Sequence, residues 1–301
     1  MYRYGRRPVR PRRGHQPRPG PSRRDHFSHP ARLEKEAIVL DYMPRGNPLE
    51  PHPEHRGGIP VAQVIGTRYF TLLDGVPVIG EPEFLERVTL SFLFKTGAYR
   101  LHCVEVLRNS VACLSKSEGD PSIIENIAKE VGRFSSVKVF TDKNVFSKYI
   151  EAFGLSPRVI DTHRIPLKLD DLTTVAKQNL KEAIKKIIRM REHVFVEFFN
   201  TAEPISLRLH TLELLKGIGQ RTLREFLNTR KRKGGFGSLE EIASVLRSDP
   251  VEMIAEKILS EMRGEDRYYI FLKPPLPRPD EPSRQKIYLG YLERLLQAEE
   301  A

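Results

Sequence analysis

The stretch with most chemical content is Leu214-Leu215-Lys216-Gly217-Ile218-Gly219-Gln220-Arg221-Thr222-Leu223. Two glycines one residue apart permit a tight turn, and the apolar spacing on either side predicts a helix before it and another after it. Ile218, between the glycines, can plug such a turn from its apolar side. A helix that starts here leaves its first N–H groups without intrahelical acceptors, and its dipole adds positive character. Lys216, Arg221 and Arg224 flank those amides. Backbone N–H groups, a dipole and cations meeting at one point make a phosphate site. Lys216, Gly217, Ile218, Gly219, Gln220, Arg221 and Arg224 therefore form the candidate backbone-binding set. A lone Gly-x-Gly is more often a plain turn between helices; the flanking leucines and cations favour the binding reading.

The arrangement resembles a helix-hairpin-helix motif, which grips nucleic-acid backbone without reading bases. Leu223, Phe226 and Leu227 have the spacing to pack on Leu214 and Leu215, and Arg230-Lys231-Arg232-Lys233 ends that helix. Gly234-Gly235-Phe236-Gly237 then leads into Ser238-Leu239-Glu240-Glu241, a capping-box pattern. Helix-hairpin-helix domains often follow their hairpin with a similar Phe-x-Ser-x-Glu-Glu run. Arg247–Val251 reads as the turn of a second hairpin without glycine.

The charge is unevenly spread over the 301 residues. The net is +11, of which residues 1–32 carry +9: Arg3, Arg6, Arg7, Arg10, Arg12, Arg13, Arg18, Arg23, Arg24 and Arg32 against Asp25 alone. Such a tail has too little apolar surface to offset the entropy of ordering, so it is expected to be disordered and to attract a polyanion. Its six prolines argue against a helical transit peptide, and it lacks the apolar core of a secretory signal. No run approaches the ~18 apolar residues of a membrane span. Two cysteines, Cys103 and Cys113, are too few for a disulfide framework and read as structural thiols. The expectation is a soluble cytoplasmic protein in a reducing compartment, with no membrane contact.

The elements that must position these groups follow from periodicity. Ala37–Asp41, Val61–Ile65, Arg68–Leu73 and Arg87–Phe94 read as short strands with glycine turns, so residues 33–94 are expected to form a small barrel, OB-like first and SH3-like equally allowed. Asp74-Gly75 should close the third strand. Alternation would turn either Tyr69 or Phe70 outward, which with Arg68 makes a candidate base-stacking set. Residues 95–163 read as an inserted α/β segment: strands Tyr99–Leu107, Val111–Ser115 and Val137–Phe140, and helices Pro121–Val131 and Asn144–Phe153. The first of those helices would bury the face Ser122, Ile123, Ile127 and Val131.

Residues 164–273 read as mostly helical. Asp170 or Asp171 would cap a helix burying Leu172, Val175, Ala176, Leu180, Ile184, Ile187 and Ile188. Helices are expected at Ser206–Leu215, Arg221–Lys231, Leu239–Leu246 and Val251–Met262, and a closing strand at Tyr268–Leu272. Residues 274–301 give a proline-rich linker and an amphipathic helix carrying Ile287, Leu289, Leu292 and Leu295, suited to docking on a protein partner. The fold class is thus multi-domain α+β: a small OB-like β-barrel, an inserted α/β segment and an all-α helix-hairpin-helix domain.

A wider resemblance rests on Val39-Leu40-Asp41-Tyr42-Met43-Pro44, Ala62-Gln63-Val64-Ile65-Gly66 with Tyr69-Phe70-Thr71-Leu72-Leu73, Asp170-Asp171-Leu172-Thr173-Thr174-Val175-Ala176, and Gly264-Glu265-Asp266-Arg267-Tyr268. Together with Phe195–Asn200 and the Lys216–Gly219 turn, these strings resemble an archaeal family known only as domain of unknown function 655. The resemblance implies an OB-like barrel joined to a helix-hairpin-helix domain, and nucleic-acid binding without an established reaction. It covers Leu33–Val88 and Arg164–Leu272; the arginine tail, residues 95–163 and the C-terminal helix depart from it.

Enzyme signatures fail. There is no Gly-x-x-x-x-Gly-Lys-Ser/Thr loop, no Gly-x-Gly-x-x-Gly fingerprint, no Gly-x-Ser-x-Gly elbow and no Pro-Cys-x-x-Cys. His52 and His55 lie in a proline-rich loop without further ligands, so neither a metal nor a cofactor is expected. Glu105, Glu118, Asp120, Glu125 and Lys138 would be available to a nuclease, but their spacing fits no metal-nuclease pattern. His102, Asp161 and His163 read as ordinary strand and loop polar residues. The expectation is a non-catalytic nucleic-acid-binding protein. RNA, ribosomal or transfer, is favoured by the tail, with ribosome association among its implications. The alternatives are a DNA repair or replication accessory and a protein-interaction scaffold.

Overall fold

A computed structural model describes residues 33–47, 58–96, 99–115, 120–163, 165–275 and 285–300. The arginine tail, His52, His55, Glu118 and the prolines Pro277, Pro279 and Pro282 lie outside them. Eight strands form one sheet: β1 (Glu36–Met43), β2 (Val61–Gly66), β3 (Leu72–Ile79), β4 (Arg87–Thr96), β5 (Tyr99–Leu107), β6 (Ser110–Ser115), β7 (Ser136–Phe140) and β8 (Val159–Asp161). Their order is β1-β2-β3-β8-β4-β5-β6-β7, and β4 also pairs with β1, closing a five-stranded barrel. An odd number of strands cannot alternate direction throughout, so at least one neighbouring pair must be parallel. Here it is β4 with β8, Thr89 facing Val159 and Ser91 facing Asp161.

The barrel differs from the span 33–94 that periodicity predicts, because its fifth strand comes from residues 159–161. β3 also runs through Asp74-Gly75 to Ile79 and does not stop at the turn-like pair. A Cβ on Gly75 would lie 2.5 Å from the Asp161 carbonyl oxygen, so glycine here admits β8 across β3. Ala37, Val39, Val64, Leu73, Val88, Leu90 and Ile160 fill the barrel. Ile38, Leu40, Ile65 and Leu72 face the other way, into the helical core. Ala37–Leu40 is therefore apolar without alternation because both of its faces are covered.

β4 continues beyond the barrel, pairing through Phe92–Thr96 with β5. The helices α1 (Pro121–Gly132) and α2 (Lys143–Glu151) complete this part of the sheet. Ile124 and Ala128 of α1 pack with Leu101, Val111, Val137 and Val139, while Phe146 and Ile150 of α2 pack with Val104, Ala112 and Leu114. α1 therefore buries the face one residue round from the predicted one: Ile123 and Val131 are 55% and 60% exposed. Cys103 and Cys113 face each other across β5 and β6 and form a disulfide, which corrects the expectation of reduced thiols.

The remaining helices are α3 (Thr174–Met190), α4 (Glu192–Thr201), α5 (Gln220–Lys233), α6 (Leu239–Leu246), α7 (Pro250–Arg263) and α8 (Tyr291–Glu300). Thr173 caps α3, accepting from the Ala176 N–H at 3.0 Å, whereas Asp170 and Asp171 belong to a preceding 3-10 turn. Ala176, Leu180, Ile184, Ile187 and Ile188 are buried as predicted; Val175 is exposed. One continuous core joins these helices to the outer face of β1–β3. The chain's end is part of it. Tyr268–Tyr269 and Ile287–Tyr288 pair in parallel, and Tyr291, Leu292 and Leu296 of α8 are buried. The apolar face expected to dock on another protein is thus occupied within the chain.

Glu261 of α7 organises the segment before α8. Its buried carboxylate accepts the N–H groups of Ile270, Phe271 and Leu272 at 2.6–3.0 Å. Lys257 donates to the Tyr268 carbonyl at 2.8 Å and lies 3.2 Å from Asp266. Burial outweighs the three N–H bonds and pushes the Glu261 pKa up to about 7.

Candidate nucleic-acid interface

The predicted helix Ser206–Leu215 does not form. Pro204–Ser206 and Leu209–His210 make a small hairpin, and Thr211–Leu214 is a 3-10 turn. The Glu203 carbonyl accepts the Thr211 hydroxyl at 2.6 Å, and His210 Nδ1 accepts the Leu212 N–H at 3.1 Å, which fixes this tighter path. Leu215 then leads into the glycine turn. Ile218 is 4% exposed and plugs it, with Leu215 and Leu223 buried beside it. Lys216, Gly217, Gly219, Gln220, Arg221 and Arg224 are all exposed.

The two glycines do different work. Gly217 has φ +100°, a conformation that strains any other residue. Gly219 has φ −92° and is the N-cap of α5, with no side chain to cap the helix. The first intrahelical bond here runs from the Leu223 N–H to the Gly219 carbonyl at 2.9 Å, so the preceding amides point outward from the helix start. In contrast, Asp120, Asp142, Thr173, Ser238 and Asp249 each accept a backbone N–H at the starts of α1, α2, α3, α6 and α7. α5 also has no acidic residue in its first turn. One carboxylate stands near: Glu213 accepts from the Gln220 side chain and from the His210 N–H at 2.8 Å.

The basic end of α5 is only partly turned to solvent. Arg230 points inward, donating to the Phe199 and Ala202 carbonyls at 2.8 and 3.1 Å. Lys233 pairs with Glu241. Lys231 and Arg232 are exposed. Ser238 accepts the Glu241 N–H at 3.1 Å, but the Glu241 carboxylate takes the Gly237 N–H at 2.9 Å, so the capping box forms in one direction.

Arg68, Tyr69 and Phe70 lie in the turn between β2 and β3, not on a strand. Glu34, fully buried, accepts the N–H groups of Arg68, Tyr69 and Thr71 at 2.8, 2.9 and 3.2 Å. That turn sends Phe70, at φ +57°, into the core, 6.3 Å from the Phe195 ring. Phe70 is therefore a packing residue and no stacking platform. Tyr69 is half-buried, with the Arg68 guanidinium 5.5 Å from its ring centre.

The residues considered for catalysis are scattered and engaged. Asp120 caps α1, Glu125 accepts the Val139 N–H at 2.8 Å, Glu105 faces Lys35 at 3.5 Å, and Lys138 lies over Tyr149. One cluster escaped sequence reasoning. Asp161 accepts from Ser91 Oγ at 3.2 Å and faces His102 Nδ1 at 3.5 Å. Both partners contact the carboxylate, and a nucleophile–base pair instead requires serine on histidine. Nothing local in the sequence marks it, since it depends on β8 lying beside β4. Among the described residues, no group of three or more His, Cys, Asp or Glu side chains could hold a metal ion.

A family described as a protein of unknown function, DUF655, matches residues 33–273. The chain belongs to that family. The matched span encloses residues 95–163, so the α/β segment lies within the DUF655 region. The chain is 26% identical to the uncharacterised protein MJ0038 of Methanocaldococcus jannaschii over 246 residues, covering 81% of this chain and 82% of that protein. It is also similar to the crystal structure of Af1531 from Archaeoglobus fulgidus, a DUF655 protein: TM-score 0.50, 25% identity, 80% of this chain and all of that one.

Proposed function

We propose that this DUF655 protein binds nucleic acid by its phosphate backbone, without catalysis, and that the start of α5 is the grip. The observation that carries the proposal is the uncapped, exposed N-terminus of α5, ringed by Lys216, Gln220, Arg221 and Arg224 and held by the buried Ile218. Outward amides and cations suit a phosphate oxygen, and neither recognises a base. On this reading the turn and α5 act as a helix-hairpin-helix grip in which a 3-10 turn replaces the first helix. The five-stranded barrel is OB-like and adds contacts. The tail supplies nonspecific attraction. RNA, ribosomal or transfer, is the favoured ligand because an arginine-, glycine- and proline-rich tail suits irregular folded RNA, and a cytoplasmic location goes with that reading.

The test is Lys216→Gln with Arg221→Gln. Both side chains are exposed, so the melting temperature should hold. Affinity for structured RNA should fall, and the slope of log affinity against log salt should flatten by about 0.7 per lost single-strand contact. Unchanged binding by a normally folded double variant would make the hairpin a structural turn. Tighter binding of duplex DNA than of RNA would move the ligand to DNA and leave the grip intact.

A further inference from the structure

A second group of cations, none of them at the α5 start, gathers where the barrel meets the helices. A cleft of about 370 Å³ is bounded by the β2–β3 turn, the start of β1, the junction of α3 with α4 and the end of α8. Lys35, Arg68, Arg87, Arg191 and His193 line it, as do the carboxylates Glu36 and Glu299. Arg87 is paired with Glu36 at 3.2 Å. Arg191 is held in place by α4, for which it is the N-cap, and by a 3.5 Å approach to the Arg68 carbonyl. Burial and the neighbouring Arg68 pull the Arg191 pKa down, while Glu299 works in the opposite direction.

The Glu299 carboxylate bridges the Arg191 guanidinium and His193 Nε2, one oxygen on each. That is how a phosphate group would sit: two oxygens on a planar guanidinium and a ring nitrogen. The Glu299 side chain is 29% exposed and sits on the last turn of a helix, so a side-chain rotation is enough to withdraw it. Leu33, the first described residue after the arginine tail, is also on the cleft wall. The chain of residues 1–32 therefore joins the described residues at this wall.

We infer that this cleft is a second phosphate site, with Glu299 as a built-in, displaceable stand-in for the phosphate of a bound nucleic acid. The inference rests on the nucleic-acid reading for its ligand but on separate residues for its geometry. Arg191 and His193 take the phosphate, and Glu299 competes with it. The competition weakens binding of isolated phosphates and favours chains that also engage the α5 start.

The experiment uses the full chain, a fluorescein-labelled oligouridine, and inorganic phosphate as a second probe. Glu299→Gln should tighten oligouridine binding about two- to fivefold, the range of an ion pair at the protein surface. Glu130→Gln, at an exposed position of α1, makes the same change in net charge and should do less. Adding Arg191→Gln to Glu299→Gln should cancel the gain. Inorganic phosphate should raise the melting temperature of the Glu299→Gln chain and not that of the Arg191→Gln/Glu299→Gln chain. If Glu299→Gln behaves as Glu130→Gln with both probes, the inference is overturned, whatever Lys216→Gln/Arg221→Gln does. If the hairpin variant binds oligouridine normally while the phosphate upshift persists, the cleft stands and the α5 grip falls.

Discussion

Replacing each hairpin glycine by alanine separates folding from binding at adjacent points of one turn. At Gly217, φ +100° is strained for alanine, and a new Cβ meets the Met253 methyl at 3.2 Å. The methyl is the end of a flexible side chain and can yield, so backbone strain of about 1–3 kcal/mol sets the cost. At roughly 2–4 °C per kcal/mol for a chain of this size class, Gly217→Ala should melt several degrees lower. At Gly219, φ is −92° and a Cβ meets nothing within 4 Å. Alanine caps a helix less well than glycine, but gains from a less flexible unfolded chain, so the net change should stay within about 1 kcal/mol. N-cap side chains lie beside the N2 and N3 amides, so the new methyl stands where a phosphate oxygen would approach. Losing one charge-assisted N–H bond costs about 1.5–3 kcal/mol, roughly 10- to 100-fold in affinity. Thermal unfolding and fluorescence anisotropy with oligouridine read the two effects. Wild-type affinity in a well-folded Gly219→Ala chain would refute the argument, as would an unchanged melting temperature for Gly217→Ala.

Three further outcomes follow from other parts of the chain. Glu261, with an ordinary value of 4.5 raised to about 7, holds in the folded state a proton that the unfolded state releases. Stability from this group is therefore full below pH 4.5 and lost as pH rises through 7, by about 3 kcal/mol, and Glu261→Gln should lack that slope in denaturant titrations. Phe70→Ala should cost about 3–5 kcal/mol of stability, because its ring is 3% exposed and packs on Phe195, whereas Tyr69→Ala should cost less and is the one to examine for RNA affinity. Deleting residues 1–32 should weaken binding to every polyanion and flatten the salt slope, and an unchanged slope would mean that the tail is idle.

What was legible in the sequence depended on how local its cause is. α6 and α7 start behind Ser238 and Asp249, whose side chains cap them, so their boundaries can be read within a residue or so. Ile218 as plug and Lys216, Arg221 and Arg224 as surface cations follow from spacing inside one turn. Phe70 failed because period-two reasoning presumes a strand, and the 67–71 backbone is instead set by Glu34, more than thirty residues away. β8 is three residues long and becomes a strand only because β3 and β4 offer it two free edges. α1 carries apolar residues on two adjoining faces, and the strands β5, β6 and β7 packed against it decide that Ile124, not Ile123, is buried. The Glu299 bridge joins residues over a hundred positions apart. No local pattern announces it.

The central claim is that the open amides at the start of α5 hold a phosphate. The direct measurement is an amide NMR titration of the full chain with oligouridine. The account predicts that the Gly219, Gln220 and Arg221 amide signals shift as binding saturates, while Val251, whose N–H is already held by Asp249 at 2.8 Å at the start of α7, stays in place. Saturating binding with the Gly219–Arg221 amides unmoved would contradict it.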